Sequence, residues 1–132
     1  MRQVNAVRAL GARCGGSGSF SPLHTALAWN PVLEGLARQQ VAWLAQAGLL
    51  LHAGSEGQTL SQRAQAAGYR FAQVAENLAQ GQRDVATVLA AWAASESHCV
   101  NLYDPGVTEM ALACANGGDG RPMWVLIVGR PL

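Results

Sequence analysis

Lysine is absent from this 132-residue chain: all nine basic side chains are arginines, and eight acids bring the net charge to +1. So even a balance leaves no electrostatic footprint for following a phosphate backbone or an anionic bilayer, and no nucleic-acid partner is expected. Long apolar runs are also missing. The longest, such as Val88 to Ala94 and Met123 to Val128, fall well short of the roughly 18 to 20 residues that a membrane-spanning helix needs, so no transmembrane segment is expected. Cysteine is scarce. No spacing among Cys14, Cys99 and Cys114, or between them and His24, His52 and His98, matches a zinc ribbon or a C-x-x-C redox pair. Three cysteines allow at most one internal bridge, and by themselves they are as compatible with three buried reduced thiols. What the chain does have is 50% apolar residues, enough for one domain with a proper core over residues 1–132.

At the N-terminus, Val4, Val7 and Leu10 alternate with Arg2 and Arg8 as in an amphipathic helix, not a secretory apolar region. No export signal is visible, although a removed one would leave none. Residues Cys14 to Pro22 are too rich in Gly and Ser for a regular element and read as a surface loop. Asn30-Pro31 is a helix start, followed by Leu33, Leu36, Ala37, Val41, Leu44 and Ala45 at helical spacing, with Gly48 as the stop. Leu49-Leu50-Leu51-His52 then leads into a Gly-bounded loop. Thr59-x-x-Gln62 is a capping box opening a helix that runs to Gly68. Tyr69, Phe71 and Val74 predict an extended segment leading to Glu76-Asn77-Leu78-Ala79. Asp84 caps a helix with Val85, Val88, Leu89 and Trp92 on one face, ending in the polar cluster Ser95-Glu96-Ser97-His98. Glu109 to Ala115 and Met123 to Val128 are strands joined through Asn116 to Gly120 as an antiparallel hairpin. The expected class is α+β, a small antiparallel sheet covered by helices on both faces.

Only three histidines are available for imidazole chemistry. His24 reads as a surface or helix-start residue. His52 and His98 each fall just past a predicted helix, in loops of small polar residues, where functional side chains collect on a rigid scaffold. Glu76 is the only acid between Glu56 and Asp84, framed by Val74, Ala75, Leu78 and Ala79, and a carboxylate in such surroundings needs a partner. Spacing alone leaves a bland alternative open, with Glu76 capping nearby backbone and two ordinary loop histidines, since no metal motif has these separations. No Ser or Cys is visibly paired with a His as an activated nucleophile: Ser97 and Cys99 adjoin His98, but sequence neighbours usually point apart.

Leu27-Ala28-Trp29-Asn30-Pro31-Val32-Leu33, His52-Ala53-Gly54-Ser55-Glu56-Gly57, Arg63-x-x-x-Ala67-Gly68-Tyr69, Ala75-Glu76-Asn77-Leu78-Ala79, Trp92-x-x-Ser95-x-Ser97-His98-Cys99-x-Asn101-Leu102 and Met123-Trp124-Val125 occur in that order. Together they resemble the bacterial branch of the CAP superfamily, the cysteine-rich secretory, antigen 5 and pathogenesis-related 1 proteins, also called SCP-like extracellular domains. The resemblance implies an α-β-α sandwich in which two His and two Glu converge on an open cleft. His52, Glu76 and His98 fall on three of those positions. The second Glu position is Ser95 here, with Glu96 one step on and rotated by about 100° on a helix, so Glu96 is a weaker candidate. A further departure is Ala75, where the family usually has Gly.

The family is secretory, so the resemblance implies an extracellular or periplasmic protein with its signal removed and its thiols oxidised. The pairing it implies is Cys14 with Cys99, leaving Cys114 free; Cys99 with Cys114 is the alternative. No cofactor is required, but Zn²⁺ or another divalent ion bound by His52 and His98 is a conditional expectation. Activities proposed for family members include lipid or sterol binding, peptide hydrolysis and partner recognition. The expected function is a binding module for a small ligand, lipid, peptide or divalent ion. The alternative is a metal-assisted peptide or ester hydrolase, in which His52, His98 and Glu76 hold Zn²⁺ and Glu76 or Glu96 deprotonates its water.

Overall fold

The computed structural model describes residues 1–132. Its elements are α1 (Arg2–Arg8), β1 (Ala12–Arg13), β2 (Ser19–Phe20), β3 (Ala28–Trp29), α2 (Pro31–Ala47), α3 (Leu60–Ala66), β4 (Phe71–Gln80), α4 (Val85–Ala93), α5 (Glu96–Leu102), β5 (Glu109–Asn116) and β6 (Pro122–Pro131). No helix is long and apolar enough to cross a membrane. The boundaries follow from local chemistry. The Asn30 carboxamide accepts from Val32 N and Leu33 N, satisfying two of the donors that a helix start leaves without partners, and Gly48 ends α2 in the left-handed conformation. Thr59 and Gln62 form both bonds of a capping box, and Asp84 accepts from Thr87 N to start α4.

The main sheet has strand order β3-β5-β6-β4, antiparallel throughout except that the short β3 joins β5 in parallel. The central strand β6 is buried from Met123 to Gly129 because helices cover both of its faces. Side-chain alternation divides it into two cores. Met123, Val125 and Ile127 pack with Leu33, Leu36, Ala37, Val41 and Leu44 of α2 and Ala64 of α3. On the opposite face Trp124, Leu126 and Val128 pack with Val4 of α1, Val88, Leu89 and Trp92 of α4, and Cys99 and Leu102 of α5. This is the expected α-β-α sandwich.

Several local expectations are corrected. The Gly/Ser stretch after α1 holds the β1–β2 pair around a 3₁₀ turn at Gly15–Ser17, and this turn is tied to α5 by a disulfide between Cys14 and Cys99, Cα atoms 5.5 Å apart. The reading of three reduced thiols therefore fails; Cys114 alone is free. Arg8, placed by periodicity on the polar face of α1, is buried and donates through Nη1 to the carbonyls of Leu102 (2.9 Å) and Asp104 (3.0 Å). The Ser95 to His98 cluster is not a loop but the start of α5.

Tyr69 fastens the far end of the sheet. Its hydroxyl donates to Glu109 Oε1 at 2.9 Å, and Asn30 Nδ2 donates to the other oxygen at 3.1 Å, joining β5 to the start of α2. The Tyr69 ring lies on Gly129, where an added Cβ would meet its Oη at 2.5 Å and Cε2 at 2.9 Å. Gly129→Ala is therefore expected to destabilise the fold by about 1–3 kcal/mol, as measured by urea unfolding.

Candidate functional site

The geometry starts from β4, an edge strand on which Glu76 and Asn77 are consecutive and therefore point to opposite faces. Glu76 faces the α2 and α3 side with 1% of its side chain exposed. Arg63, on α3, approaches from beneath: its Nη2 donates to Glu76 Oε2 at 3.2 Å and Oε1 at 3.4 Å, and to the carbonyl of His52 at 2.8 Å. His52 Nδ1 completes the set, 3.0 Å from Glu76 Oε1. The carboxylate is a floor, and the His52 ring, with 62% of its side chain exposed, stands above it at the solvent boundary.

Asn77 works on the other face. Its Nδ2 donates to the His98 carbonyl at 3.0 Å and its Oδ1 accepts from Asn101 Nδ2 at 2.9 Å, fixing the turn of α5 that carries His98. His98 Nδ1 lies 3.1 Å from Ser95 Oγ, one helical turn away. His52 and His98 are thus carried on opposite sides of the sheet and feel each other electrostatically around β4.

Charge separates the two imidazoles. Hydrogen bonding to Glu76 raises the His52 pKa above its ordinary 6.5, against the opposing effects of burial and of Arg63. Burial lowers that of His98, and the nearby His52 charge lowers it further. His52 therefore stabilises the fold in full below pH 6.5, a contribution lost as pH rises through its folded pKa. For His98 the sense is reversed, with stability lost as pH falls from 6.5 through its lower folded pKa.

Glu96 does not join this set. Its Oε1 accepts from Ser17 Oγ at 2.8 Å, and its side chain lies over Gly15 and Gly16 in the 3₁₀ turn. His24 lines a different depression beside Pro22 and Thr108. Three residues of the site had no assigned role in the sequence reading: Arg63, Asn77 and Ser95. Arg63 was legible in principle, because Glu76 needed a cation and α3 carries one.

The family resemblance raises the question of a zinc centre, and the donor set does not fit one. No group of three or more His, Cys, Asp and Glu side chains is arranged to hold a metal ion. The carboxylate that would be the third ligand has both oxygens on a guanidinium, leaving the Nε2 atoms of two imidazoles. Catalytic zinc sites use about three protein ligands and closed structural ones about four.

Comparison with known proteins agrees with the architecture. An outer surface protein from Borrelia burgdorferi superposes with a TM-score of 0.73 at 24% identity, over 80% of this chain and 78% of that one. An extracellular protein containing an SCP domain from Bacillus anthracis gives 0.69 at 23% identity, over 79% of this chain and 33% of its own. A cysteine-rich secretory protein from Staphylococcus aureus gives 0.68 at 19%, over 98% of this chain and 36% of its own, so these last two proteins are much longer than the region they share with this chain. No functionally curated protein matches the sequence. The sequence model of the cysteine-rich secretory protein family matches residues 1–128. The chain, with its α-β-α sandwich and its His52–Glu76 pair on the edge strand, belongs to the CAP, or cysteine-rich secretory protein, family.

Proposed function

We propose that the protein is a binding module acting outside the cytoplasm, whose His52, Glu76 and His98 cleft receives a small amphipathic ligand of lipid type rather than cleaving one. The observation that carries this reading is the state of Glu76, a buried carboxylate already held by Arg63 and His52. Such a group is not free to take a proton from water or to ligate a metal, the two roles that hydrolysis would ask of it. The Nε2 atoms of the two imidazoles remain for a ligand's polar group. Leu49, Leu50 and Leu51, between 42% and 54% exposed, immediately precede His52 and support an apolar portion in that ligand. Location outside the cytoplasm is supported by the disulfide, by the secretory character of the family, and by the outer-surface and extracellular proteins that share the fold.

Oleate titrated into the protein is expected to shift the imidazole resonances of His52 and His98 together, with no product formed from nitrophenyl esters. Any zinc binding is expected to be weak, because two imidazoles fall short of the three or four protein ligands of established zinc sites, and to weaken further below about pH 6 as these protonate. His52→Ala should remove zinc uptake while leaving the exposed ring's surroundings folded, as calorimetry would read. Equal zinc affinity in wild type and variant would mean that the histidines are not the ligands.

One observation favours the hydrolase reading. Ser95 Oγ is within hydrogen-bond reach of His98 Nδ1, and the lowered His98 pKa keeps that ring neutral and able to accept the hydroxyl proton. Ester turnover abolished by Ser95→Ala would establish it and displace the binding proposal.

A further inference from the structure

The two edges of the main sheet are finished differently. β4 opens with a register shift between Phe71 and Gln73, the kind of irregularity that turns an edge away from a neighbour. At the other edge β3 pairs only with Glu109 and Met110, and β5 runs on to Asn116 with no strand beyond it. The bonds from Ala28 N to the Thr108 carbonyl and from Asn30 N to the Met110 carbonyl, both 3.0 Å, show which way this backbone points. Even-numbered residues of β5 direct their N–H and C=O groups outward, and odd-numbered ones direct theirs to β6. The backbone groups of Leu112, Cys114 and Asn116 therefore leave the sheet, and no other backbone group meets them. Folded proteins usually guard such an edge with charge, proline or a bulge. The segment Leu112-Ala113-Cys114-Ala115-Asn116 has no charged residue and no proline, keeps an unbroken register with β6, and leaves Cys114 and Asn116 exposed.

The symmetry of the edge selects its occupant. A second copy laid antiparallel with Cys114 opposite Cys114 sets each Leu112 against the Asn116 of the other copy, so every outward group gains a partner. Moving the dyad toward Met110 drives the incoming strand into β3, and moving it toward Gly117 leaves Leu112 unpaired. Past Asn116 the incoming chain reaches β3 as Gly117-Gly118, with no side chains to collide. We infer that the open edge of β5 is a self-association surface, on which two copies pair antiparallel about Cys114. A five-residue edge covers far less than the roughly 1,200–2,000 Å² of a stable interface, so the pairing alone is weak and reversible. Cys114, a free thiol in the single chain, can make it lasting. Opposed residues that exchange both backbone bonds lie about 5.5 Å apart at Cα, within the roughly 4.4–6.8 Å span of a disulfide. The oxidant is a low-molecular-weight disulfide: two Cys114 thiols become one disulfide, and their two electrons and two protons reduce the oxidant to two thiols.

Incubating the intact protein with oxidised glutathione tests this. The expected product is a dimer of twice the chain mass less two hydrogens, linked through Cys114, in which amide hydrogen exchange at Leu112, Cys114 and Asn116 is at least about tenfold slower than in the monomer. Asn116→Pro removes an outward donor without touching a bond between β5 and β6. It should slow dimer formation by about tenfold, because symmetry deletes two bonds at once, and leave the mixed disulfide of Cys114 with glutathione as the main product. A wild-type chain that yields only that mixed disulfide would overturn the inference. So would a dimer whose three amides exchange as fast as in the monomer, since it would be a collision product with no strand pairing. The wild-type exchange data decide the matter even if the variant folds poorly.

Discussion

Removing the Cys14–Cys99 bridge, by Cys99→Ser or by reduction, is expected to lower the unfolding free energy by about 4 kcal/mol and the melting temperature by roughly 15 °C. The bond closes a loop across a sequence separation of 85, and freeing so long a loop in the unfolded chain is where most of that loss arises. Both cysteines are buried in the α1, α4 and α5 core, so the Ser variant also leaves a hydroxyl among Val4, Trp92 and Leu102. Urea and thermal unfolding of oxidised and reduced protein measure the effect. Thiol titration of the denatured, unreduced chain should find the single thiol of Cys114. A loss under about 1 kcal/mol would mean that α1 and its turn are held to α5 by packing alone.

The second large effect is expected at Arg63. Arg63→Met keeps an unbranched apolar stem but removes the guanidinium, leaving Glu76 buried with only an exposed imidazole as partner, and breaking a buried pair from one side costs about 3–5 kcal/mol. Adding Glu76→Gln should recover part of this, because the double variant buries no unpaired charge. Urea unfolding of the two singles and the double forms the cycle. Singles within about 0.5 kcal/mol of wild type would show that the pair does not hold α3 to β4.

How much of this was legible in the sequence depends on the range of the interaction. Local signals read correctly: Asn30, Thr59, Asp84 and Gly48 set helix limits through bonds within a few residues. The apolar run from Met123 to Val128 gave a strand but not its two-sided burial, which depends on helices from distant parts of the chain. Arg8 was misplaced because periodicity scores a guanidinium as polar, whereas two carbonyls near α5 bring it inside. His98 was placed in a loop because Ser95-Glu96-Ser97 looks like a helix end; the same residues start the next helix. That Glu76 is a partnered acid could be anticipated, because an isolated carboxylate in apolar surroundings demands a partner. That partner was missed because Arg63 reaches it from α3 only once β4 is laid against the helix. The Cys14–Cys99 pairing came from family resemblance, since three cysteines leave the choice open.

The pH titration of the His52 imidazole by NMR, in wild type and in Glu76→Gln, tests most directly whether His52 and Glu76 are paired. In the wild type, His52 should titrate above 6.5 and His98 below it. In the variant a neutral carboxamide replaces the carboxylate, so the hydrogen bond loses its charge and the coulombic pull of Glu76 is gone, while burial and Arg63 still lower the His52 value, which should therefore fall below that of the wild type. An unchanged His52 titration in Glu76→Gln would contradict the pairing on which the proposed binding function rests.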